Sequence, residues 1–217
     1  MQITENTLGV LKSFTTINPS IYVKSGNTIK TISPQKTIVA MAEIDDSFES
    51  SFGIYDLNQF LSTVSLFEKP DFEFKDKSVT IKNGVSHVEY LFTEPSMIIQ
   101  PPEKSIDVPD VVVEFELTHR VLQKTTQAAN VLQLPNWSVV GVDGQITIVV
   151  SDIKNVDGNV FRYVVGETDK EFELSFKIEN LRFMPADYTV RISSKGVSHF
   201  SANEGKLQYY IETESKK

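Results

Sequence analysis

Residues 54–67 read IYDLNQFLSTVSLF (Ile54–Phe67), an amphipathic helix set in a chain that otherwise alternates like β-sheet. Leu57, Phe60, Leu61 and Val64 fall at i, i+3, i+4 and i+7, which is one face of an α-helix. Asp56 precedes the first of them and is suited to cap it. The opposite face, Asn58, Gln59, Ser62, Thr63 and Ser65, is polar but uncharged. A helix that only faces bulk water usually carries charges. An uncharged polar face suits a surface lying near an anion without gripping it.

Outward from this helix the chain reads as strands. Upstream, Ser20–Lys24, Asn27–Ile32 and Thr37–Ile44 are β-rich and separated by the turn sequences Ser25-Gly26-Asn27 and Ser33-Pro34-Gln35. Downstream come Asp71–Phe74, Ser78–Ile81 and Val85–Phe92, with Asn83-Gly84 as a strong hairpin signal. Then periodicity stops: residues 94–110, EPSMIIQPPEKSIDVPD, hold four of the nine prolines and read as an extended connector. Domains are therefore expected over 1–94 and 111–217, joined by 95–110.

The second half opens with a strand, Val111–Glu116, and a long helix over Leu117–Leu132 capped by Thr118. Leu122, Thr125, Ala129 and Leu132 form its apolar side, and Arg120, Gln123, Lys124 and Gln127 a basic and polar stripe. Strands are expected at Trp137–Val142, Gln145–Ser151, Val160–Val165, Glu171–Lys177, Asp187–Ser194, Val197–Ala202 and Lys206–Glu212. Asp143-Gly144 marks a tight turn and Asn155–Asn159 a looser one. A short helix fits Ile178–Phe183 before Met184-Pro185 stops it. With a first helix at Thr4–Phe14, each half repeats strand, helix, three strands twice. The fold class is strand-dominated α+β, with about sixteen strands and four short helices.

Composition excludes several functions. The chain has 217 residues and no cysteine, which removes disulfides, thiolate metal sites and cysteine nucleophiles. Neither a signal peptide nor an apolar run of about 18 residues is present, so a soluble intracellular protein without a membrane role is expected. His87, His119 and His199 stand in no metal-ligand spacing, and no phosphate loop or nucleophile elbow occurs. Asp152, Asn155, Asp157 and Gly158 lack the alternation and closing Glu of a calcium loop and fit a turn. No catalytic residue, metal or cofactor is expected. A net charge of −8 argues against a generic nucleic-acid coat, so any DNA contact must be local. Single-stranded DNA binding would need aromatics interleaved with basic residues, a pattern this chain lacks.

The order of elements, with TLGVLKSFTTINPSIYVKSG (residues 7–26) and IYDLNQFLSTVSL (54–66), resembles the DNA sliding clamps of T-even-type tailed bacteriophages. The resemblance runs over essentially the whole chain and is clearest in the first seventy residues. It implies two similar clamp domains per chain, and three chains closed into a homotrimeric ring whose helices line a hole for duplex DNA. It further implies a non-enzymatic factor that tethers the replicative DNA polymerase in the cytoplasm of an infected bacterium, opened by an ATP-dependent clamp loader. Transcription factors are a further class of partner in this family.

A sliding ring is held by topology, so its lining should attract phosphates weakly and read no bases. Lys12, Arg120, Lys124 and Arg182 are the expected DNA-facing set, each also readable as an ordinary solvated charge. Acidic runs at Glu43, Asp45, Asp46, Glu49 and at Glu167, Asp169, Glu171, Glu173 would lie on the exterior, as DNA-repelling rim or as plain solubilising surface. By position in the family, the edge strands that join subunits are Val85–Phe92 and Val160–Val165, with Tyr90, Leu91, Phe92, Phe161 and Tyr163, unless these strands are internal. Met97, Ile98 and Ile99 are unusually apolar for a connector. They either receive partner tails or pack the connector onto the sheet. The competing function is a phage structural β-domain protein with no DNA role, which would have no reason to keep acids off helix faces.

Overall fold

The computed structural model describes residues 1–155 and 157–214. Among these the chain forms three α-helices and fifteen strands in two compact units, Met1–Lys104 and Ser105–Lys217. The division falls inside the expected 95–110 connector. Val156, within the expected 155–159 turn, and residues 215–217 lie outside the described residues.

In the first unit, helix α1 (Glu5–Phe14) is followed by β1 (Ile21–Val23), β2 (Gly26–Ile32), β3 (Ile38–Phe48) and β4 (Phe52–Ile54). Helix α2 (Leu57–Val64) then leads into β5 (Asp71–Phe74), β6 (Ser78–Asn83) and β7 (Ser86–Leu91). β1 pairs antiparallel with β4, β2 with β3, and β5, β6 and β7 form a meander. The cap expected at Asp56 is in place, its Oδ1 accepting from Gln59 N at 2.9 Å, and Thr4, read from sequence as the first helical residue, instead caps α1 with Oγ1 accepting from Thr7 N at 3.2 Å. Each satisfies one backbone donor that a helix start leaves unpaired. The β6–β7 hairpin closes through Gly84-Val85, with Gly84 at φ 58°, so glycine takes the first loop position rather than the second.

The second unit comprises β8 (Val111–Leu117), α3 (His119–Leu132), β9 (Asn136–Val142), β10 (Gln145–Ser151), β11 (Phe161–Glu167) and β12 (Phe172–Lys177). A single 3₁₀ turn at Ile178–Asn180 and β13 (Tyr188–Ser193), β14 (Val197–Ala202) and β15 (Leu207–Glu212) complete it. One sheet has the order β11-β10-β9-β12, and β15, β14, β13 and β8 run side by side in another. Asp143 and Gly144, at φ 52° and 79°, form the two-residue turn between β9 and β10. The core joins Trp137, Phe176 and Phe200 edge to face at 5.7 and 6.0 Å.

Three expectations need correction. The fourth helix is absent: after the 3₁₀ turn, Leu181–Met184 has no regular secondary structure. Leu181 is buried and Phe183 packs against Phe200, Tyr209 and Tyr188 at 4.7, 4.9 and 5.2 Å. Their spacing of two residues suits an extended backbone, since a helix would turn one of them away. Second, β4 has no counterpart among the expected strands. Its three residues are all buried, so no alternation marks them. Third, β3 continues through the acidic run as far as Phe48. There Asp46 Oδ2 accepts from Thr4 N at 2.9 Å and Thr4 Oγ1 at 2.7 Å, and Asp45 from Asn6 Nδ2 at 2.9 Å. Part of that run therefore anchors the N-terminus of α1, where negative charge is favoured.

Candidate nucleic-acid interface

Each helix buries one face and exposes another, and the exposed faces of α1 and α3 carry three of the four expected DNA-facing residues. In α2, Leu57, Phe60 and Val64 are buried while Asn58, Gln59 and Ser62 are exposed. In α3, Leu122, Thr125 and Ala129 are buried, Leu132 at the last turn is exposed, and Arg120, Gln123, Lys124 and Gln127 all face solvent. Lys12 is exposed in the last turn of α1, where a cation also complements the helix dipole. Arg182 follows the 3₁₀ turn rather than lying on a helix, and its Nε donates to Glu179 O at 2.6 Å.

Acidic residues are not kept off every such element. Glu5 occupies the first turn of α1 and Glu179 the 3₁₀ turn. The acid-free helices are α2 and α3. In a chain where 29 residues are Asp or Glu, both helices lack even one.

Between α1 and α2 lies an open groove of about 940 Å³, with Leu8, Leu61 and Phe67 in its floor and Lys12, Asn58, Ser62 and Lys69 around it. Lys69, at φ 51°, is a cation that sequence pattern does not single out. The one signal for it is its place just beyond the helix and before Pro70.

The expected subunit-joining strands are both at sheet edges. β7 pairs only with β6 and β11 only with β10 among the described residues. Their named side chains do not share one direction. Tyr90 and Phe92 turn inward and are partly buried, while Leu91 is 71% exposed on the opposite face. Phe92 stacks on Phe52 at 5.1 Å, and Tyr90 meets Phe60 of α2 edge to face at 5.2 Å. Phe161 and Tyr163 are likewise partly buried, and Lys124 of α3 holds its ammonium 5.4 Å above the Tyr163 ring centre. The structure thus brings together two residues that sequence placed in separate roles.

The connector triplet divides as well. Pro95–Met97 forms one 3₁₀ turn. Ile98 is buried, whereas Met97 and Ile99 are exposed at 62% and 44%. Thr93 N donates to Gly53 O of β4 at 2.9 Å, fastening the start of the connector. Farther on, Gln100–Glu103 lie beside Tyr22, Lys24 and Lys30 around a cavity of about 170 Å³, with Lys24 ion-paired to Glu103.

Among the described residues no three His, Cys, Asp or Glu side chains converge as metal ligands. No described helix is long and apolar enough to cross a membrane. What the geometry offers is two helices with mild donors and no acid, edge strands, and an apolar exposed pair on a fastened connector.

Residues 4–100 match the family model described as DNA polymerase processivity factor, and residues 114–215 that of the gp45 sliding clamp, C terminal. The chain belongs to the sliding-clamp family of DNA polymerase processivity factors. It is 31% identical to the sliding clamp of Vibrio phage KVP40 over 99% of this chain and 100% of that one. It is 28% identical to the sliding clamp of Enterobacteria phage T4 over 97% and 95%. Among solved structures it resembles the proliferating cellular nuclear antigen of Entamoeba histolytica, with a TM-score of 0.72 at 11% identity, covering 97% and 95% of the two chains. That likeness shows a shared clamp fold of two similar domains. The function is accordingly that of a clamp, which holds a DNA polymerase to duplex DNA. A shell or tail role without DNA finds no support.

Proposed function

We propose that three copies of this chain close into a ring around duplex DNA, each contributing clamp domains over 1–94 and 111–217 joined by 95–110. The observation that carries this reading is the acid-free surface of α2 and α3 in a chain of net charge −8. A lining of few cations and many neutral donors attracts phosphates without fixing register, as sliding requires. Lys12, Arg120, Lys124 and Arg182 face the phosphates. β7 of one copy continues the sheet at β11 of the next, with Leu91 at the junction. Met97 and Ile99 receive a short apolar tail from the replicative polymerase, and Ile98 anchors the segment that presents them.

The factor performs no reaction of its own. It acts in the cytoplasm of the infected bacterium and depends on an ATP-dependent loader to open it. Transcription factors are a further class of partner for the same exposed pair. Processivity follows from effective concentration: polymerase and template kept on one ring re-engage before they separate.

Light scattering, and retention on circular against linear duplex after loading, test the proposal. A trimer kept on circles and lost from free ends supports a topological clamp. A monomer, or binding indifferent to ends, overturns it.

A further inference from the structure

On each edge strand one tyrosine leaves the edge and reaches the neighbouring helix. From β11, Tyr163 lies beneath the ammonium of Lys124, 5.4 Å from the ring centre and within the range of about 6 Å at which a ring face attracts a cation. From β7, the Tyr90 hydroxyl shares its one hydrogen between Asp56 O at 3.1 Å and Gln59 Oε1 at 3.3 Å. Both receiving side chains, Lys124 and Gln59, are exposed on helices that carry no acid.

We propose that Tyr163 and Tyr90 are positioning residues for DNA contact, orienting Lys124 and Gln59 so that each presents donors to a phosphate. This rests on the reading that α2 and α3 face the duplex. A lysine has a flexible four-carbon stem, and its ammonium roams unless something selects a rotamer. The Tyr163 ring supplies that selection without neutralising the charge, as a carboxylate would. A glutamine amide has an accepting and a donating end, and the wrong end repels a phosphate. With Oε1 turned toward the Tyr90 hydroxyl, the Nε2 hydrogens are the ones left to face outward.

Simple packing does not need both features. The Tyr90 ring already meets Phe60 at 5.2 Å, a packing that phenylalanine would keep. Beyond that packing, the hydroxyl ties β7 to the Asp56 carbonyl at the start of α2 and meets the accepting end of the Gln59 amide.

The test is binding of the full-length clamp to a short duplex, followed by fluorescence anisotropy over a range of NaCl. Lys124→Ala should weaken binding and lower the slope of log K against log salt by about 0.9 for each phosphate that is no longer neutralised. Tyr163→Leu should weaken binding roughly two- to fivefold, the size of an exposed cation–π interaction, and Tyr163→Phe should restore it. In the Lys124→Ala background Tyr163→Leu should add nothing. Tyr90→Phe should weaken binding to the same extent as Gln59→Ala, with no further loss in combination and no change in salt slope. Additive losses in either pair overturn the proposal while leaving the DNA-facing reading intact. If Lys124→Ala and Gln59→Ala are themselves silent, the DNA-facing reading falls and the proposal with it. Should Tyr163→Leu not assemble, the intact protein still decides: the ¹³C-dimethylated Lys124 resonance must show an upfield ring-current shift, and its absence overturns the Tyr163 assignment.

Discussion

Trp137 donates its indole N–H to Thr125 Oγ1 at 3.0 Å, and both side chains are fully buried. Thr125 in turn donates its hydroxyl to Leu122 O at 3.0 Å, one turn back in α3. A hydroxyl on the buried face of a helix is thus satisfied in both directions. It fixes how α3 rests on β9, and hence which face of α3 is turned outward with Arg120 and Lys124.

Thr125→Val keeps the volume but removes the acceptor, stranding a buried indole N–H. Leaving a buried donor without its partner costs about 1–3 kcal/mol. Urea unfolding should therefore show a lower midpoint with an unchanged slope. Trp137→Phe in the Thr125→Val background should cost less than the two single changes added, because the orphaned group is then gone.

Gly53 leaves no room for a side chain. A Cβ there would stand 2.6 Å from Thr93 O and 3.0 Å from Ile98 Cδ1. Gly53→Ala should lift the start of the connector away from β4 and destabilise the unit by roughly 1–3 kcal/mol. Limited proteolysis should cut within residues 95–104 faster than in the unaltered chain.

Asp46 loses solvation where it docks on α1, which raises its pKa, but hydrogen bonds from Thr7 and Thr4 outweigh that and leave it below the ordinary carboxylate value of 3.8. A depressed pKa contributes stability that is fully present above the unfolded value and lost as pH falls through the folded one. Asp46→Ala should therefore destabilise by less than about 1 kcal/mol at pH 7, because its hydrogen bonds to Thr4 lie where solvent screens them. The difference between the two proteins should shrink as unfolding is measured at pH below 3.8.

Much of this was legible in the sequence because it is local. Asp56 and Thr118 are residue types whose side-chain oxygen can cap the helix that follows, each stands just before an apolar-periodic run, and both do cap it. Asp143-Gly144 dictates its turn through two positive φ values. The failures are where distant parts of the chain decide. Phe183 is extended because three aromatic rings from β13, β14 and β15 surround it, and no neighbour in sequence announces them. Asp45 and Asp46 look like solubilising charge until α1 is laid against β3. Tyr90 and Tyr163 look like edge residues until the helices are placed over them. Pattern shows which face of an element is apolar, but not what lies across from it.

The connector offers the sharpest test of the partner site, because its apolar residues differ in burial. Ile98 is 6% exposed and fills space beside Gly53, so Ile98→Asp would bury an unpaired carboxylate. It should lower the midpoint of unfolding and abolish polymerase stimulation indirectly, through the fold. Met97 is 62% exposed, and Met97→Asp should leave the unfolding midpoint unchanged within about 0.5 kcal/mol. If Met97 and Ile99 form the docking pair, Met97→Asp still shortens the products of a primer-extension reaction under single-encounter conditions, while the ring remains a trimer and stays on circular DNA. Full-length products from that variant would place the polymerase contact elsewhere, with Met97 an ordinary exposed side chain. The two substitutions lie one residue apart, so a difference between them comes from where each side chain points.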